Sequence, residues 1–343
     1  MILKFPLRYK TKYLVVFALL LLISCKHNRR KVDLSKVPDF SLKVSRFEQD
    51  LFMHRDQLPA YSSNLKKDYG EFYKIYCRYI IRVGSDSDSV TVRRLKEFAL
   101  NADLDTVYKH TQNKFKDLKD VERGLSTAFR HLKYYYPEAT IPQVISYISG
   151  FRYAVITATN GLAIGLDMYL GKDYAIYAGM GYPAYKIRTM DREYIVSDAM
   201  KGWAQSEYAN DPEDKEFISQ CIYWGKIYYY TESMLPDQHD SLTIGFSNRQ
   251  LQWCKANEGN VWAYFIEKKL LFSNNPNEYN RFLGEGPTTN SLPKESPAML
   301  GRWIGWQIVR KYMNQHSDVS LKALMETKDA HKILNESQYK PEK

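Results

Sequence analysis

The chain has no HExxH. None of its seven histidines, at 27, 54, 110, 131, 239, 316 and 331, is followed by glutamate, and no two have the spacing that sets a zinc-binding pair on one helix face. It also has no CxxC, no GxSxG elbow and no Walker loop. The local signatures of a zinc peptidase, a redox dithiol, a serine hydrolase and a phosphate-binding loop are therefore missing. Gly179-Met180-Gly181-Tyr182-Pro183-Ala184 fits GxGxxG/A in letters alone, because no strand–helix–strand pattern surrounds it and Pro183 stands where a helix would begin. Acids and bases are interspersed without a long basic block, so no nucleic acid partner is expected.

Long hydrophobic runs are also scarce. The longest near the start, Tyr13 to Ile23, follows Lys4, Arg8, Lys10 and Lys12 with no acid among them. A helix needs roughly 20 apolar residues to cross a bilayer, so this segment suits a secretory signal better than a span. Leu22-Ile23-Ser24-Cys25 resembles a bacterial lipobox, which implies cleavage between Ser24 and Cys25 and acylation of Cys25. Several acyl chains would then anchor the protein, each buried CH2 adding about 0.8 kcal/mol. Loss of residues 1–24 lowers the net charge from +10 to about +6. Lys26, Arg29, Arg30 and Lys31 would lie beside the membrane. With Cys25 assigned to lipid, Cys77, Cys221 and Cys254 remain, an odd number with no metal-like clustering.

Aromatic residues are abundant, with 28 tyrosines, including runs at 134–136 and 228–230. Such amphipathic rings suit core and core-rim packing, with a carbohydrate-binding surface as the alternative. Leu65, Tyr69, Phe72, Tyr76 and Ile80 draw one apolar stripe along a helix, and Leu118, Val121, Leu125, Phe129 and Leu132 draw another on a helix expected over 105–135. Between them, 84–89 reads as a solvated loop; no glutamate closes it as a calcium site. Residues 143–169 are β-branched and aromatic, and predict a three-stranded meander with a tight turn at Asn160-Gly161, where both residues tolerate positive φ. Helices follow near 191–208, 213–234, 248–272, 296–315 and 320–335, with prolines between them. The organisation expected is a signal peptide at 1–24, a lipidated basic tether at 25–40, and one domain at 41–343. Its class is α+β, predominantly helical, with helices around a small antiparallel or mixed sheet.

Several stretches together carry a resemblance: GLDMYLGKDYAIY at 165–177, PAYKIRTMDREYIVSDAMKGWA at 183–204, WGKIYYYTESMLPD at 224–237, LQWCKANEGNVWAYFIEKKLLFS at 251–273 and ESPAMLGRWIGWQIVRKYM at 295–313. With the lipobox, these resemble the gliding-motility lipoprotein GldB family of Bacteroidetes-type bacteria, from about residue 40 onward. The resemblance implies a role in gliding and the linked type IX secretion apparatus, and a scaffold similar to gluzincin zinc peptidases with a worn active site. Where such a peptidase carries HExxH, this chain has YIVSDAMKGWA, with Ser197, Asp198 and Lys201 and no histidine. The place of the next metal-ligand glutamate is given to Trp224-Gly225-Lys226, of which tryptophan cannot coordinate zinc and lysine would repel it.

The function implied is a lipid-anchored, non-catalytic envelope component, without cofactor or metal, whose partners are the membrane and other envelope proteins. The alternatives are a divergent metal-dependent hydrolase and a glycan-binding lipoprotein. A binding groove is expected from Asp167, Tyr185, Arg188, Asp198, Lys226, Arg302, Trp303 and Trp306. Trp303, Trp306 and Ile308 are equally spaced to pack as a helix face, and Arg302 to pair with a carboxylate. The basic residues after Cys25, with Asp33 the first acid, point to a periplasm-facing domain.

Overall fold

A computed structural model describes residues 30–86, 88–158 and 161–342. The signal peptide and the lipidation site at Ser24 and Cys25 lie outside the described residues. Leu34–Lys343 cluster as one compact unit. Among the described residues, no helix is long and apolar enough to cross a membrane.

The unit opens with β1 (Val44–Arg46) and five helices: α1 (Phe47–Met53), α2 (Leu58–Ile75), α3 (Ser89–Leu100), α4 (Ala102–Lys114) and α5 (Lys119–Tyr135). The expected stripes are buried on α2, on the π-helical turn Tyr76–Ile80 that continues it, and on α5 with Leu118 just before it. A left-handed Gly70 at φ 46° kinks α2, a conformation that side-chain-bearing residues resist. The helix expected over 105–135 is two helices, because the chain leaves helical geometry between Phe115 and Leu118 and both residues are buried as the chain turns. Asp88 and Asn101 cap α3 and α4 by accepting backbone N–H bonds.

Strands β2 (Gln143–Tyr147), β3 (Val155–Ala158) and β4 (Gly161–Gly165) join β1 in the order β1-β2-β4-β3. The expected meander is corrected here. β2 runs parallel to both β1 and β4, and β3 alone is antiparallel, paired to β4 at the sheet edge. Two successive left-handed residues, Gly150 at φ 68° and Phe151 at φ 63°, swing the chain past the place that β4 later takes. The β3–β4 hairpin is present, but Gly161 already pairs with Ala158 in the ladder and does not have the positive φ expected of it, while Asn160 lies outside the described residues. Gly165 is fixed by close approach, since a Cβ there would stand 2.2 Å from the Tyr153 carbonyl oxygen.

Beyond the sheet come α6 (Ala175–Gly179), α7 (Ala184–Ile187), α8 (Ile195–Glu207), α9 (Phe217–Met234), α10 (Asp240–Ile244), α11 (Asn248–Glu267), α12 (Pro276–Leu283), α13 (Leu300–Gln315), α14 (Leu321–Glu326) and α15 (Ala330–Ser337). Gly179–Ala184 thus joins two short helices. α11 starts with a capping box, Ser247 and Gln250 bonding reciprocally. α9 and α13 are apolar around most of their circumference and form the heart of the helical layer, burying Tyr228, Tyr229, Tyr230, Trp303, Trp306 and Ile308. Cys77, Cys221 and Cys254 are free buried thiols, and burial pushes the Cys77 thiol up to about 12.

Candidate functional site

A cavity of about 330 Å³ opens where α8, α9 and the start of α13 meet the end of the sheet. α8 presents Asp198 and Lys201 one turn apart on the same face. The Asp198 carboxylate accepts from Lys201 Nζ at 2.8 Å and from Tyr169 Oη at 3.0 Å. Burial works to lower the Lys201 ammonium, but Asp198 outweighs it and raises its affinity for the proton. Opposite, Lys186 pairs with Glu285 at 2.9 Å. Burial disfavours the Glu285 carboxylate, yet Lys186, aided by Arg302 and Lys201, holds it below the usual range.

Arg302 comes from the first turn of α13, behind Met299, whose left-handed backbone at φ 58° starts that helix. Its Nε donates to the Leu283 carbonyl at 2.6 Å, and its guanidinium lies 3.7 Å over the Trp224 ring. The guanidinium therefore stacks on an aromatic ring and bonds a carbonyl, and no carboxylate lies within ion-pair distance of it among the described residues. Arg188 is held by donating to the Gly245 carbonyl at 2.6 Å, and Tyr185 and Tyr228 line the walls.

Of the eight groove residues read from the sequence, the structure brings Tyr185, Arg188, Asp198 and Arg302 together in this cavity. The other four are placed elsewhere. Asp167 is wholly buried behind β4; its Oδ2 accepts the backbone N–H groups of Ser149 at 3.0 Å and Phe151 at 2.6 Å. Lys226 is aimed away, donating to the carbonyls of Met325 and Thr327, and burial lowers it to about 8. Trp303 and Trp306 are core residues, about 1% and 0% exposed. The groove expected from the sequence left out Lys201 and Trp224, which were named only at the worn ligand positions, and also Tyr169 and Glu285. The three-residue step from Asp198 pointed to Lys201, whereas no local signal marks Glu285, which arrives on the loop after α12.

A larger groove, about 670 Å³, is lined by Tyr135, Tyr136, Trp203, Tyr208 and Tyr230. We place the site in the smaller cavity because four cations and two carboxylates converge there from separate segments. Among the described residues, no group of three or more His, Cys, Asp or Glu side chains is arranged to hold a metal ion.

The role of Asp167 as an internal strut is testable. Burial pushes its carboxyl up to about 6, although the backbone N–H groups it accepts from pull the other way. Because the folded value lies above the ordinary aspartate value of 3.8, the stability this group contributes is greatest below about pH 4 and is lost as pH rises through about 6. Asp167→Ala orphans two buried N–H donors and should cost about 1–3 kcal/mol in urea unfolding near pH 4, and less at pH 7. No cost at either pH would remove the strut, and a larger cost at pH 7 would reverse the assigned shift.

A family model described as gliding motility protein GldB matches residues 27–341. No curated protein and no solved structure matches the chain.

Proposed function

Because the chain belongs to the GldB family of gliding motility proteins, we propose that it is a lipid-anchored, non-catalytic component of the envelope machinery for gliding and the linked type IX protein secretion. Its domain faces the periplasm, and the cavity between α8, α9 and α13 is a binding site. The family match supports a motility-related envelope role. The lipobox at Cys25 supports the anchor, and the basic run Lys26–Lys31 supports the orientation.

The observation that carries the non-catalytic reading is the state of the ionisable groups in the cavity. Asp198 is held by Lys201, and Glu285 by Lys186, with the shifts of Lys201 and Glu285 both favouring the charged form. A general acid or base works best with a pKa near the operating pH, and stable ion pairs do the opposite. A descent from a peptidase-like scaffold, whose former ligand positions would now carry Asp198, Lys201 and Trp224, belongs to the same proposal and rests on the sequence motifs.

Complementation of a gene deletion tests the reading. The deletion should stop gliding and secretion, and the wild-type chain should restore both. Cys25→Ser should neither take up a fatty-acid analogue nor restore them. The purified protein should carry no stoichiometric zinc. Zinc at one per chain together with chelator-sensitive hydrolysis would establish the hydrolase instead, and a deletion strain that glides and secretes normally would remove the motility role.

A further inference from the structure

The composition of the cavity reaches further than the statement that something binds there. Four cations, Lys186, Arg188, Lys201 and Arg302, face two acids, Asp198 and Glu285, which leaves an excess of positive charge in a concave site. Arg302 is already oriented. Trp224 supports one face of its guanidinium, and the Leu283 carbonyl takes its Nε, so the plane is fixed before any ligand arrives. Its two terminal nitrogens make no hydrogen bond to a described residue. A fixed fork with two unused donor groups matches the two coplanar oxygens of a carboxylate, which is the geometry that distinguishes arginine from lysine as an anion receptor.

The remaining lining narrows the ligand. Lys201 and Lys186 are already paired with Asp198 and Glu285, and Arg188 is bonded to the Gly245 carbonyl, so the open receptor is the planar Arg302 fork, whose geometry suits one carboxylate. Tyr185 and Tyr228 put amphipathic rings into the walls with hydroxyls that no described residue engages, and Gln205 adds an amide. Carboxylates accept from hydroxyl groups and an amide both accepts and donates, while the flat rings suit the C–H faces of a sugar. The volume, about 330 Å³, is at the lower end for a small-molecule site and holds one or two sugar rings.

We infer that this cavity binds a carboxylate-bearing saccharide of one or two rings, its carboxylate on the Arg302 fork and its hydroxyls toward Asp198, Glu285 and the tyrosines. This rests on the reading of the cavity as a binding site. For a protein facing the periplasm, such a ligand is the acidic sugar of an envelope polymer.

Calorimetric titration of the detergent-solubilised full chain with glucuronate, N-acetylmuramic acid, glucose, acetyl-Ala-Ala and inorganic phosphate tests the inference. At least one acidic sugar should bind saturably, with glucose weaker by about tenfold or more. Arg302→Lys keeps the charge but loses the fork, and should weaken the acidic sugar by about tenfold or more while circular dichroism shows an unchanged fold. Should Arg302→Lys disturb the fold, Tyr185→Phe, which removes only an unengaged hydroxyl, should weaken binding by about threefold or more. Equal binding of glucose, tighter binding of the dipeptide or phosphate, no saturable binding of either acid, or binding unaffected by both variants would each overturn it. The outcomes separate from the proposed function. A chain that restores gliding but binds no acidic sugar loses only this ligand, whereas a deletion strain that glides normally loses the motility role whatever the titration shows.

Discussion

Gly305→Ala should leave no folded protein to purify. α9 and α13 cross with their backbones in contact. A Cβ at Gly305 would stand 1.8 Å from the Cys221 carbonyl oxygen, and one at Gly225 would stand 2.3 Å from the Gly305 carbonyl oxygen. No rotamer relieves either clash, because the obstruction is main chain on both sides. The helices would have to separate, and buried side chains that meet across them, such as Tyr228 and Trp306 with ring centroids 5.4 Å apart, would each lose about 1.5–3 kcal/mol on returning to water. Overpacking of a rigid core ordinarily costs about 1–3 kcal/mol, and a backbone clash at the centre of the largest helix pair exceeds that. Against a total stability of about 5–15 kcal/mol, the folded state does not survive. Gly225→Ala should behave alike. Gly161→Ala is the matched control, since among the described residues a Cβ there meets Ala158 alone, at 3.9 Å, and the backbone is not left-handed. Far-ultraviolet circular dichroism and thermal melting read the outcome, and a Gly305→Ala protein that melts within a few degrees of wild type would show that the crossing is looser than the structure has it.

That crossing was invisible in the sequence, although GRWIGWQ lies within one of the stretches that carry the family resemblance. A glycine in a helix has several possible reasons, and the partner that makes this one obligatory lies about 80 residues away, on α9. The elements that were legible repeat a local rule. Leu65, Tyr69, Phe72, Tyr76 and Ile80 fall on one face because a helix turns every 3.6 residues, and all five are buried. The apolar runs 143–147 and 161–165 were legible as strands. Their parallel pairing was not, because the direction of each is set by the turn at Gly150 and Phe151 and by Asp167 holding that turn. β1 has three residues and too little pattern to be read at all. The same limit explains the candidate site. Tyr185, Arg188, Asp198 and Arg302 are polar residues within apolar motifs, and that signal led to the cavity. Asp167 gave the same signal for a different reason, since an internal strut and a binding carboxylate look alike until the groups around them are placed. Trp303 and Trp306 sit beside Arg302 in sequence but a helix turn carries them into the core.

Arg310→Met should be the most damaging charge substitution in the domain. Arg310 leaves α13 between two carboxylates, bonding Glu232 of α9 through Nε at 2.9 Å and through Nη2, and Asp240 at the start of α10 through Nη1 at 3.0 Å and Nη2 at 2.6 Å. Its guanidinium also lies 3.8 Å over the Trp306 ring. Burial opposes the charge, but the two carboxylates more than offset it and hold Arg310 protonated at every accessible pH. Methionine keeps much of the packing volume and takes away the cation that both acids share, leaving Glu232, about 4% exposed, beside Asp240 with like charge. Breaking a buried pair in this way costs about 3–5 kcal/mol, because two neighbouring acids lose the cation they share. The sign of the pH dependence follows. In the variant, Glu232 takes up a proton more readily than in the unfolded chain, so the loss should be largest at neutral pH and shrink on acidification toward pH 5, where protonation neutralises the stranded charge. Replacing both partners, as Arg310→Met with Glu232→Leu, should recover part of the loss at neutral pH, since a well-packed apolar pair removes the stranded carboxylate. Urea unfolding of the three proteins at pH 5 and pH 7 decides it. A single variant that loses less than about 1 kcal/mol, or a double variant less stable than the single one at neutral pH, would mean that the three side chains form a solvated cluster rather than the buried brace joining α9, α10 and α13.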